Sequence, residues 1–416
     1  MKRVFFLITY LILLCRFADP LAADEGTKIK YSKAKLSIEN GEGMKLEVQS
    51  RYFLDAGGFI PLGDFKMLHR DDNQVRMDGD MNFHKLRTTL QGKFDEHWGF
   101  KFEIDYGKAR LKYQCMQLDY YLNKRNFFRV GNMRVPGSMS VNVSSGANMV
   151  LTTPLGLSLA SDRRMGIGYY HTTPRLYYAL GLYTYNMNEL LRVRLYGVPE
   201  IAAASRLGYN FIHKSDEKLF GALNGYFYRP QDGFFTLDFA GGNETSFESH
   251  LFLRKLMPES YYSYNMGAEV AYQKNRFLGY VECLGTGVHT NRAKKDPLFF
   301  GWSATASYVI LGQPRGYKTS SGDFSGSPYK SDSKGLEVGA RVSGLSLKSG
   351  EIDGGNGIAY SAFASYWLSE HINFMAQVAY IDHNSQALGD RIYSFSGESF
   401  KGADFMALQL RTIVNF

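Results

Sequence analysis

The sequence predicts an all-β fold, a transmembrane antiparallel β-barrel of about sixteen strands. Three observations indicate it: an apolar run close to the first residue, two-residue alternation of apolar and polar side chains in many stretches, and an alternating last strand that ends in Phe416. The mean hydropathy is slightly negative. That value suits a barrel, because half of each strand faces lipid and the other half faces water.

Residues 1–23 have the three parts of a cleavable signal peptide. Lys2 and Arg3 form a short positive region, residues 4–14 form an apolar run, and small residues precede Asp24. The run is too short to span a bilayer as a helix, which needs about 20 apolar residues. We therefore expect export and cleavage after residue 23.

Two regions are expected beyond the signal peptide. Residues 24–43 are predicted to form an N-terminal periplasmic segment or a short hairpin, and residues 44–416 the barrel. Residues 98–106 (WGFKFEIDY) show the barrel alternation most clearly, with aromatic and aliphatic side chains on one face and Lys101, Glu103 and Asp105 on the other. Strict alternation predicts a strand with one apolar and one wet face. The same pattern recurs at 45–54, 85–94, 262–273, 335–343 and 371–380.

Charges on the polar faces favour a water-filled interior over the dry core of a β-sandwich. Aromatic residues also recur at predicted strand ends, where the membrane-interface girdles of a barrel lie. These residues are Trp98, Tyr106, Tyr120, Tyr121, Tyr169, Tyr170, Tyr177, Tyr178, Tyr261, Tyr262, Tyr366 and Trp367.

Tight and long connections separate the predicted strands. The tight ones are 95–97, 123–126, 172–175, 274–275 and 369–371, and the long ones are 58–80, 135–162, 186–203, 287–297, 312–333 and 383–402. Barrels of this class place short turns at the periplasmic end and longer loops outside. Residues 240–260 resist assignment. The segments number roughly sixteen to eighteen strands, and we take the even number sixteen. A barrel of about sixteen strands leaves an aqueous channel inside.

The last predicted strand, 405–416 (FMALQLRTIVNF), places Leu408 and Leu410 on the face of Phe416, opposite Gln409 and Arg411. A final alternating strand with a terminal aromatic residue is typical of barrels.

Other classes of function lack a signal in the sequence. Scattered charges argue against a nucleic-acid-binding arm. Cys115 and Cys283 are the two cysteines beyond residue 23, and they suggest neither a disulfide framework nor a metal cluster. Zinc, phosphate-loop and serine-elbow motifs are absent from the sequence. We predict no catalytic residue, no metal site and no cofactor.

The order of several segments resembles the phosphate-selective porin O and P family of Gram-negative outer membranes, over nearly the whole mature chain. The segments are 35–51 (KLSIENGEGMKLEVQSR), 83–93 (FHKLRTTLQGK), 98–107, 131–140 (GNMRVPGSMS), 301–317 (GWSATASYVILGQPRGY) and 335–347 (GLEVGARVSGLSL). The resemblance implies a sixteen-stranded barrel, usually trimeric, with basic residues along an anion pathway. Family members that select phosphate carry lysines on a constricting loop, whereas the corresponding loop here, 135–162, contains no Lys or Arg.

Seven basic residues are the predicted pore-lining set: Arg51, Lys85, Arg87, Arg129, Arg163, Arg164 and Arg341. Several cations in a narrow tube raise the local concentration of anions, and a potential of about 2 kT enriches a monovalent anion roughly sevenfold. The alternative is that these are ordinary interior charges, balanced by acidic residues. Those are Glu47, Glu103, Asp105, Asp119, Glu269 and Glu337.

The sequence therefore predicts a passive outer-membrane channel for small hydrophilic solutes, with a mild preference for anions that could include phosphate. The expected partners are these solutes, outer-membrane lipid and two further copies in a homotrimer, with no nucleic acid. The alternative is a structural or adhesive outer-membrane barrel that does not conduct.

Overall fold

The computed structural model describes residues 27–32, 34–40, 43–62, 79–107, 110–144, 146–191, 199–231, 236–247, 252–291, 293–330, 333–384 and 403–416. The predicted signal peptide lies outside these residues. The regular secondary structure of the described residues is almost entirely β-strand. In chain order they are β1 (Lys28–Ser32), β2 (Lys35–Glu39), β3 (Lys45–Pro61), β4 (Asp80–Lys93), β5 (Trp98–Asp105), β6 (Lys112–Tyr121), β7 (Asn126–Arg134), β8 (Arg163–Thr172), β9 (Leu176–Tyr183), β10 (Ile201–His213), β11 (Glu217–Arg229), β12 (Leu237–Gly241), β13 (Leu253–Met257), β14 (Ser260–Lys274), β15 (Phe277–Thr290), β16 (Leu298–Leu311), β17 (Gly335–Ser349), β18 (Ile352–Trp367), β19 (Ile372–His383) and β20 (Ala403–Asn415).

Sixteen of these strands form a closed antiparallel barrel, as the sequence predicts. Strands β3 to β11 pair in sequence, β11 pairs with β14, and β14 to β20 continue the wall. The barrel closes where β20 pairs with β3, from Phe405 opposite Pro61 to Asn415 opposite Arg51. Closure leaves these sixteen strands without a free edge in the membrane, where an unpaired backbone group is costly.

A short hairpin precedes the barrel. Strand β2 pairs with the first residues of β3, so that Leu36 lies opposite Val48 and Glu39 opposite Lys45. β1 lies on the other side of β2. The ring of Tyr31 stacks on His371 in the turn that joins β18 to β19, with 5.7 Å between the ring centroids.

The alternation predicted for the wall strands is confirmed on β20. Leu408 and Leu410 are 51% and 50% exposed on the outer surface, whereas Gln409 is fully buried and Arg411 is 3% exposed. An apolar surface of this kind is stable in a bilayer because lipid replaces water as its solvent.

The aromatic residues at the strand ends do not all point outward. Tyr170, Tyr177 and Trp367 are 4%, 3% and 7% exposed and belong to the interior. Tyr121 packs on the ring of Phe127 and also faces inward. The prediction of a girdle role was wrong for these four residues, because neighbouring residues on a strand face opposite sides.

The two ends of the barrel differ in their connections. Short turns join most strand pairs at one end, and long loops join most pairs at the other. Residues 312–334 are an exception, because they connect β16 to β17 at the short-turn end and are long. The expectation that long connections lie at the opposite end from the tight turns was therefore wrong for this segment, which folds into the barrel instead.

The unassigned stretch 240–260 also folds inward. Its described residues contribute to a separate two-stranded sheet, β12 paired with β13, within the connection from β11 to β14. Phe252 and Leu253 are fully buried in a cluster with Leu345 and Phe405 on the inner faces of wall strands. The apolar part of the interior is thus filled by chain rather than by water.

Helical segments are short. Those fully within the described residues are α1 (Met139–Asn142), α2 (Met187–Leu190) and a 3-10 turn at Leu155–Leu157. In the parts of the chain listed above, no helix has both the length and the apolar character to cross a membrane.

Candidate functional site

Among the described residues, parts of three connections enter the barrel and narrow it. We call them the first inner loop (residues 135–162), the second inner loop (residues 230–259) and the third inner loop (residues 312–334). Each carries apolar residues that pack on inward-facing residues of the wall, as Val150, Leu253 and Phe324 show. Where these loops narrow the barrel, the width of the passage is therefore set by loop backbone as well as by strand side chains.

Near its start, at α1, the first inner loop is attached to the wall formed by β14 and β15. The backbone N–H of Met139 donates to Glu269 Oε2 at 2.5 Å, and that of Ser140 donates to Glu282 Oε1 at 2.8 Å. Farther along, Leu151 N donates to Gln377 Oε1 at 3.1 Å. The loop thus crosses the interior between two parts of the wall.

The 3-10 turn is a second place where the first inner loop is attached to the wall, through close contact between the two backbones. A Cβ atom on Gly156 would lie 2.2 Å from the Trp302 carbonyl oxygen and 2.6 Å from that of Gly344. Real side chains do not approach backbone so closely, so glycine permits the turn to lie flat on β16 and β17.

Arg341 connects the first and second inner loops. Its guanidinium donates to the Thr152 carbonyl at 2.8 Å and to Glu244 Oε2 at 2.6 Å. Glu244 in turn accepts from Leu155 N at 2.8 Å and from Ser361 Oγ at 3.0 Å. This carboxylate is buried, so its charge is stabilised by Arg341 and by several hydrogen bonds.

The third inner loop is held by two further arginines. Arg315 forms an ion pair with Glu337 and donates to the Ala147 carbonyl at 2.7 Å. Arg206, on β10, donates to the Ser321 carbonyl at 2.8 Å. On the same loop, burial lowers the pKa of the Lys318 ammonium, and nearby Asp323 partly opposes this shift.

The predicted basic residues fall into two groups by exposure. The side chain of Arg341 is 1% exposed, so it fastens loops rather than facing open space. The side chains of Arg87, Arg129 and Arg164 are 11%, 25% and 17% exposed. Lys101, which was not in the predicted set, is 35% exposed. The accessible interior charges therefore concentrate along β3 to β8.

Most of these accessible cations have an acidic partner. Arg87 Nε lies 2.7 Å from Asp105 Oδ2, and Arg129 holds Asp119 through hydrogen bonds of 2.7 and 2.8 Å. Arg163 pairs with Asp162 at the loop end of its strand, at 2.8 Å. Arg164 pairs instead with Glu200 and lies over the Tyr228 ring. These two neighbouring arginines thus contact different partners.

Arg51, Lys85 and Arg134 differ from the others. Among the described residues, none of the three has a carboxylate oxygen within ion-pair distance. Arg51 donates to Asn415 Oδ1 at 2.9 Å, and Arg134 donates to the Val143 carbonyl at 2.8 Å. Lys85 Nζ lies 5.5 Å from the centre of the Phe53 ring. Among the described residues, no direct ion pair therefore compensates the charge of these three side chains.

Two of the three border the first inner loop directly. Arg51 Nη1 lies 3.4 Å from Ser144 Oγ, and its guanidinium lies against Gly146. Arg134 binds the carbonyls of Val141 and Val143 in the same loop. The loop itself lacks lysine and arginine, so the positive charge at its edge comes from the wall.

Sequence reasoning missed several residues that shape this site. Arg134 stands in a segment quoted for the family resemblance, yet it was not among the predicted pore residues. Glu244, Arg206 and Arg315 had no local signal, because their partners lie on distant strands or loops. Among the described residues, no group of His, Cys, Asp and Glu side chains is arranged to hold a metal ion.

A closed sixteen-stranded barrel with an apolar outer surface and a charged, loop-narrowed interior defines the class of outer-membrane channels. Residues 58–416 match the model of the phosphate-selective porin O and P family. The chain therefore belongs to this family, and the resemblance seen in the sequence is confirmed. A comparison with curated protein sequences finds no significant match.

Solved outer-membrane proteins share the fold at low sequence identity. Outer-membrane expressed OmpT of Vibrio cholerae superimposes with a TM-score of 0.55 at 10% identity, covering 93% of this chain and 100% of that chain. The trimer form of in-vitro folded OmpT gives 0.54 at 8% identity, covering 90% and 99%. The anion-selective porin from Comamonas acidovorans gives 0.55 at 10% identity, covering 90% and 100%. At this identity the likeness concerns the barrel fold.

Proposed function

We propose that the protein is a passive diffusion channel for small hydrophilic solutes with a mild preference for anions, phosphate among them. The observation that carries the preference is the group formed by Arg51, Lys85 and Arg134. Their charges have neutral partners, and two of them border the first inner loop. Cations in a narrow, water-filled space of low-dielectric walls raise the local concentration of anions.

Arginine suits this task for physical reasons. Its guanidinium stays charged at every pH that the cell meets, and it is less strongly hydrated than an ammonium. With a Debye length of about 8 Å at physiological salt, the field persists where the passage is narrow and is screened where it is wide. The preference is expected to be mild, because Arg87, Arg129, Arg163 and Arg164 have acidic partners.

Reconstitution of the purified full-length protein into planar bilayers tests this function. We expect stepwise single-channel currents and, under a KCl gradient, a reversal potential of the sign that anion permeation gives. Replacing chloride by phosphate then measures whether phosphate passes. A cation-type reversal potential would contradict the anion preference. Repeated absence of current steps, with correctly folded protein, would favour the structural or adhesive alternative.

Export and assembly are part of the proposal. We propose that residues 1–23 are removed and that residues 24–43 lie on the periplasmic side of a barrel formed by residues 44–416. The trimer form of OmpT from Vibrio cholerae supports a homotrimer in the membrane. N-terminal sequencing of protein extracted from outer membranes should begin at Asp24. Chemical cross-linking in membranes should give a ladder that ends at three copies.

A further inference from the structure

We propose that a basic arc on the short-turn rim of the barrel binds the phosphate groups of anionic lipids in the periplasmic leaflet. The basic arc consists of six lysines and arginines in four tight turns and the strand ends beside them: Lys124, Arg125, Arg175, Lys214, Lys274 and Arg276. This lipid site goes beyond the proposed channel function, from which it takes only that the short-turn rim lies on the periplasmic side.

The four turns are neighbours along the rim. The Arg125 carbonyl accepts from Thr172 N at 2.8 Å, and the Arg175 carbonyl accepts from Asn210 N at 2.8 Å. A backbone hydrogen bond of the same kind joins the third turn to the fourth. Because neighbouring strands lie about 4.8 Å apart, successive turns are about 10 Å from each other. The basic arc therefore follows the rim continuously from β6 to β15 and can contact several headgroups at once.

Most of the charge on the basic arc has no counterion in the protein. All six residues except Lys214 lack a carboxylate within ion-pair distance among the described residues, and all six are exposed. Two carboxylates, Asp216 and Glu217, lie in the same turns, and Glu217 pairs with Lys214 at 3.3 Å. Six cations against two carboxylates give this part of the rim a net charge of +4.

The other tight turns at this end of the barrel have the opposite charge. The turns at 95–97 and 369–371 carry Asp95, Glu96 and Glu370, and they contain no lysine or arginine. Scattered charges that only keep a protein soluble would not be sorted in this way between neighbouring turns. Positive charge gathered on one side of the rim indicates a negatively charged partner on that side.

A row of aromatic rings places the basic arc at the level of lipid headgroups. Exposed rings lie on the outer surface within a few residues of the same turns: Tyr120, Phe128, Tyr209, Phe211 and Phe277. Aromatic girdles of barrels lie at the two membrane–water interfaces. The cations directly beyond this row are therefore within reach of headgroup phosphates.

The contact of Arg276 favours a lipid over a soluble periplasmic partner. Its Nη1 donates to the Ile310 carbonyl of β16 at 2.6 Å, and Ile310 is 43% exposed on the outer surface. The guanidinium therefore lies against the wall of the barrel and does not point away from the membrane. Its remaining N–H groups stay available to a phosphate, for which arginine provides charge-assisted hydrogen bonds.

The test measures lipid binding by the purified full-length protein in phosphatidylcholine vesicles. Electron spin resonance compares the association of spin-labelled phosphatidylglycerol with that of spin-labelled phosphatidylcholine. An anionic lipid beside one cation is favoured about fivefold, so the average over all lipids around the barrel should favour phosphatidylglycerol about two- to threefold at low salt. The preference should fall at high KCl concentration, because salt screens exposed charges.

Two adjacent pairs of lysine or arginine residues provide matched variants. Lys124→Gln with Arg125→Gln removes two charges from the basic arc, and the addition of Arg175→Gln removes a third. Lys294→Gln with Lys295→Gln removes two exposed charges at the long-loop end, where Asp296 follows them. The preference for phosphatidylglycerol should fall in the double variant of the arc and reach about 1.5-fold in the triple variant. The variant at the long-loop end should match wild type.

Equal association of the two lipids with the wild-type protein at low salt would overturn the proposal, as would an unchanged preference in the triple variant. An equal loss in the arc and loop pairs would do the same, because net charge alone would then attract the lipid. Inorganic phosphate should lower the preference no further than KCl of the same ionic strength, and a larger loss would assign the basic arc to free phosphate instead. A protein that prefers phosphatidylglycerol but never conducts would refute the channel function and leave the lipid site standing.

Discussion

Arg411 on the last strand holds Asp55 on the first barrel strand through two hydrogen bonds, each of 2.6 Å. The two residues lie directly opposite each other where β20 pairs with β3. Their side chains are 2% and 0% exposed. Arg411 Nη1 also donates to the Leu151 carbonyl at 2.8 Å, so one guanidinium joins the closing strands to the first inner loop.

Substitution Arg411→Met should destabilise the barrel by about 3–5 kcal/mol, because it leaves the Asp55 carboxylate buried without its partner. The measurement is the free energy of unfolding in urea, with the protein folded into lipid vesicles. The double variant Asp55→Asn with Arg411→Met buries no charge at this place and should recover most of the loss. Equal stability of the single and double variants would contradict this account.

The outer surface of the same strand gives a second prediction. Leu410 is 50% exposed and faces lipid, so Leu410→Arg should cost about 2–4 kcal/mol of folding free energy if it lies near the middle of the bilayer. Leu122→Arg is the matched control, because Leu122 is similarly exposed but lies in a turn. The unfolding experiment in vesicles measures both. An equal effect at the two positions would mean that β20 does not face lipid there.

The contact at Gly156 gives a third prediction. An added Cβ would collide with the backbone of Trp302 and Gly344, neither of which can move without disturbing the wall. Gly156→Ala should therefore displace the 3-10 turn and raise the single-channel conductance. Gly285→Ala is the control, since its Cβ would meet its nearest neighbours at an ordinary 3.8 Å. Unchanged conductance in Gly156→Ala would show that this part of the loop does not limit the current.

The wall of the barrel could be predicted from the sequence because the alternation of apolar and polar residues along a strand is a local pattern. Successive residues of a strand lie on opposite faces of the sheet. The apolar Leu408 can therefore be assigned to the lipid-facing side and the polar Gln409 to the inner side from the sequence alone. Counting such segments gave roughly sixteen to eighteen strands, and the even number sixteen taken from that range is confirmed. The same local rule, applied to residue types alone, assigned Tyr170 and Tyr177 to a membrane girdle when their position on the strand turns them inward.

The interior could not be predicted in the same way. Charged inner faces on β17 and β20 suggested water, yet Arg341 and Arg411 each donate to a carbonyl of the first inner loop. Each also binds a carboxylate, Glu244 of the second inner loop for Arg341 and Asp55 of β3 for Arg411. The partners are separated by more than a hundred residues in several cases, as for Arg315 and Ala147. Periodicity carries no information about such pairs. Arg134 stands in a segment that carries the family resemblance, but a motif does not reveal whether a charge has a partner.

Arg51 provides the last prediction, on selectivity. If a potential of about 2 kT arises equally from Arg51, Lys85 and Arg134, removing one charge lowers it by about 0.7 kT. Anion enrichment then falls about twofold and cation exclusion weakens about twofold, so the ratio of anion to cation permeability falls about fourfold. Arg51→Gln keeps a donor for the Asn415 side chain and so tests the charge itself. Lys274→Gln removes a charge from an exposed strand end and is the control. Reversal potentials under the same KCl gradient measure both.

Because exposed charges are screened within about 8 Å at physiological salt, the difference between the two variants should widen when the salt is diluted. Equal potentials for the two variants at low salt would assign Arg51 to the support of the first inner loop, without a part in selectivity.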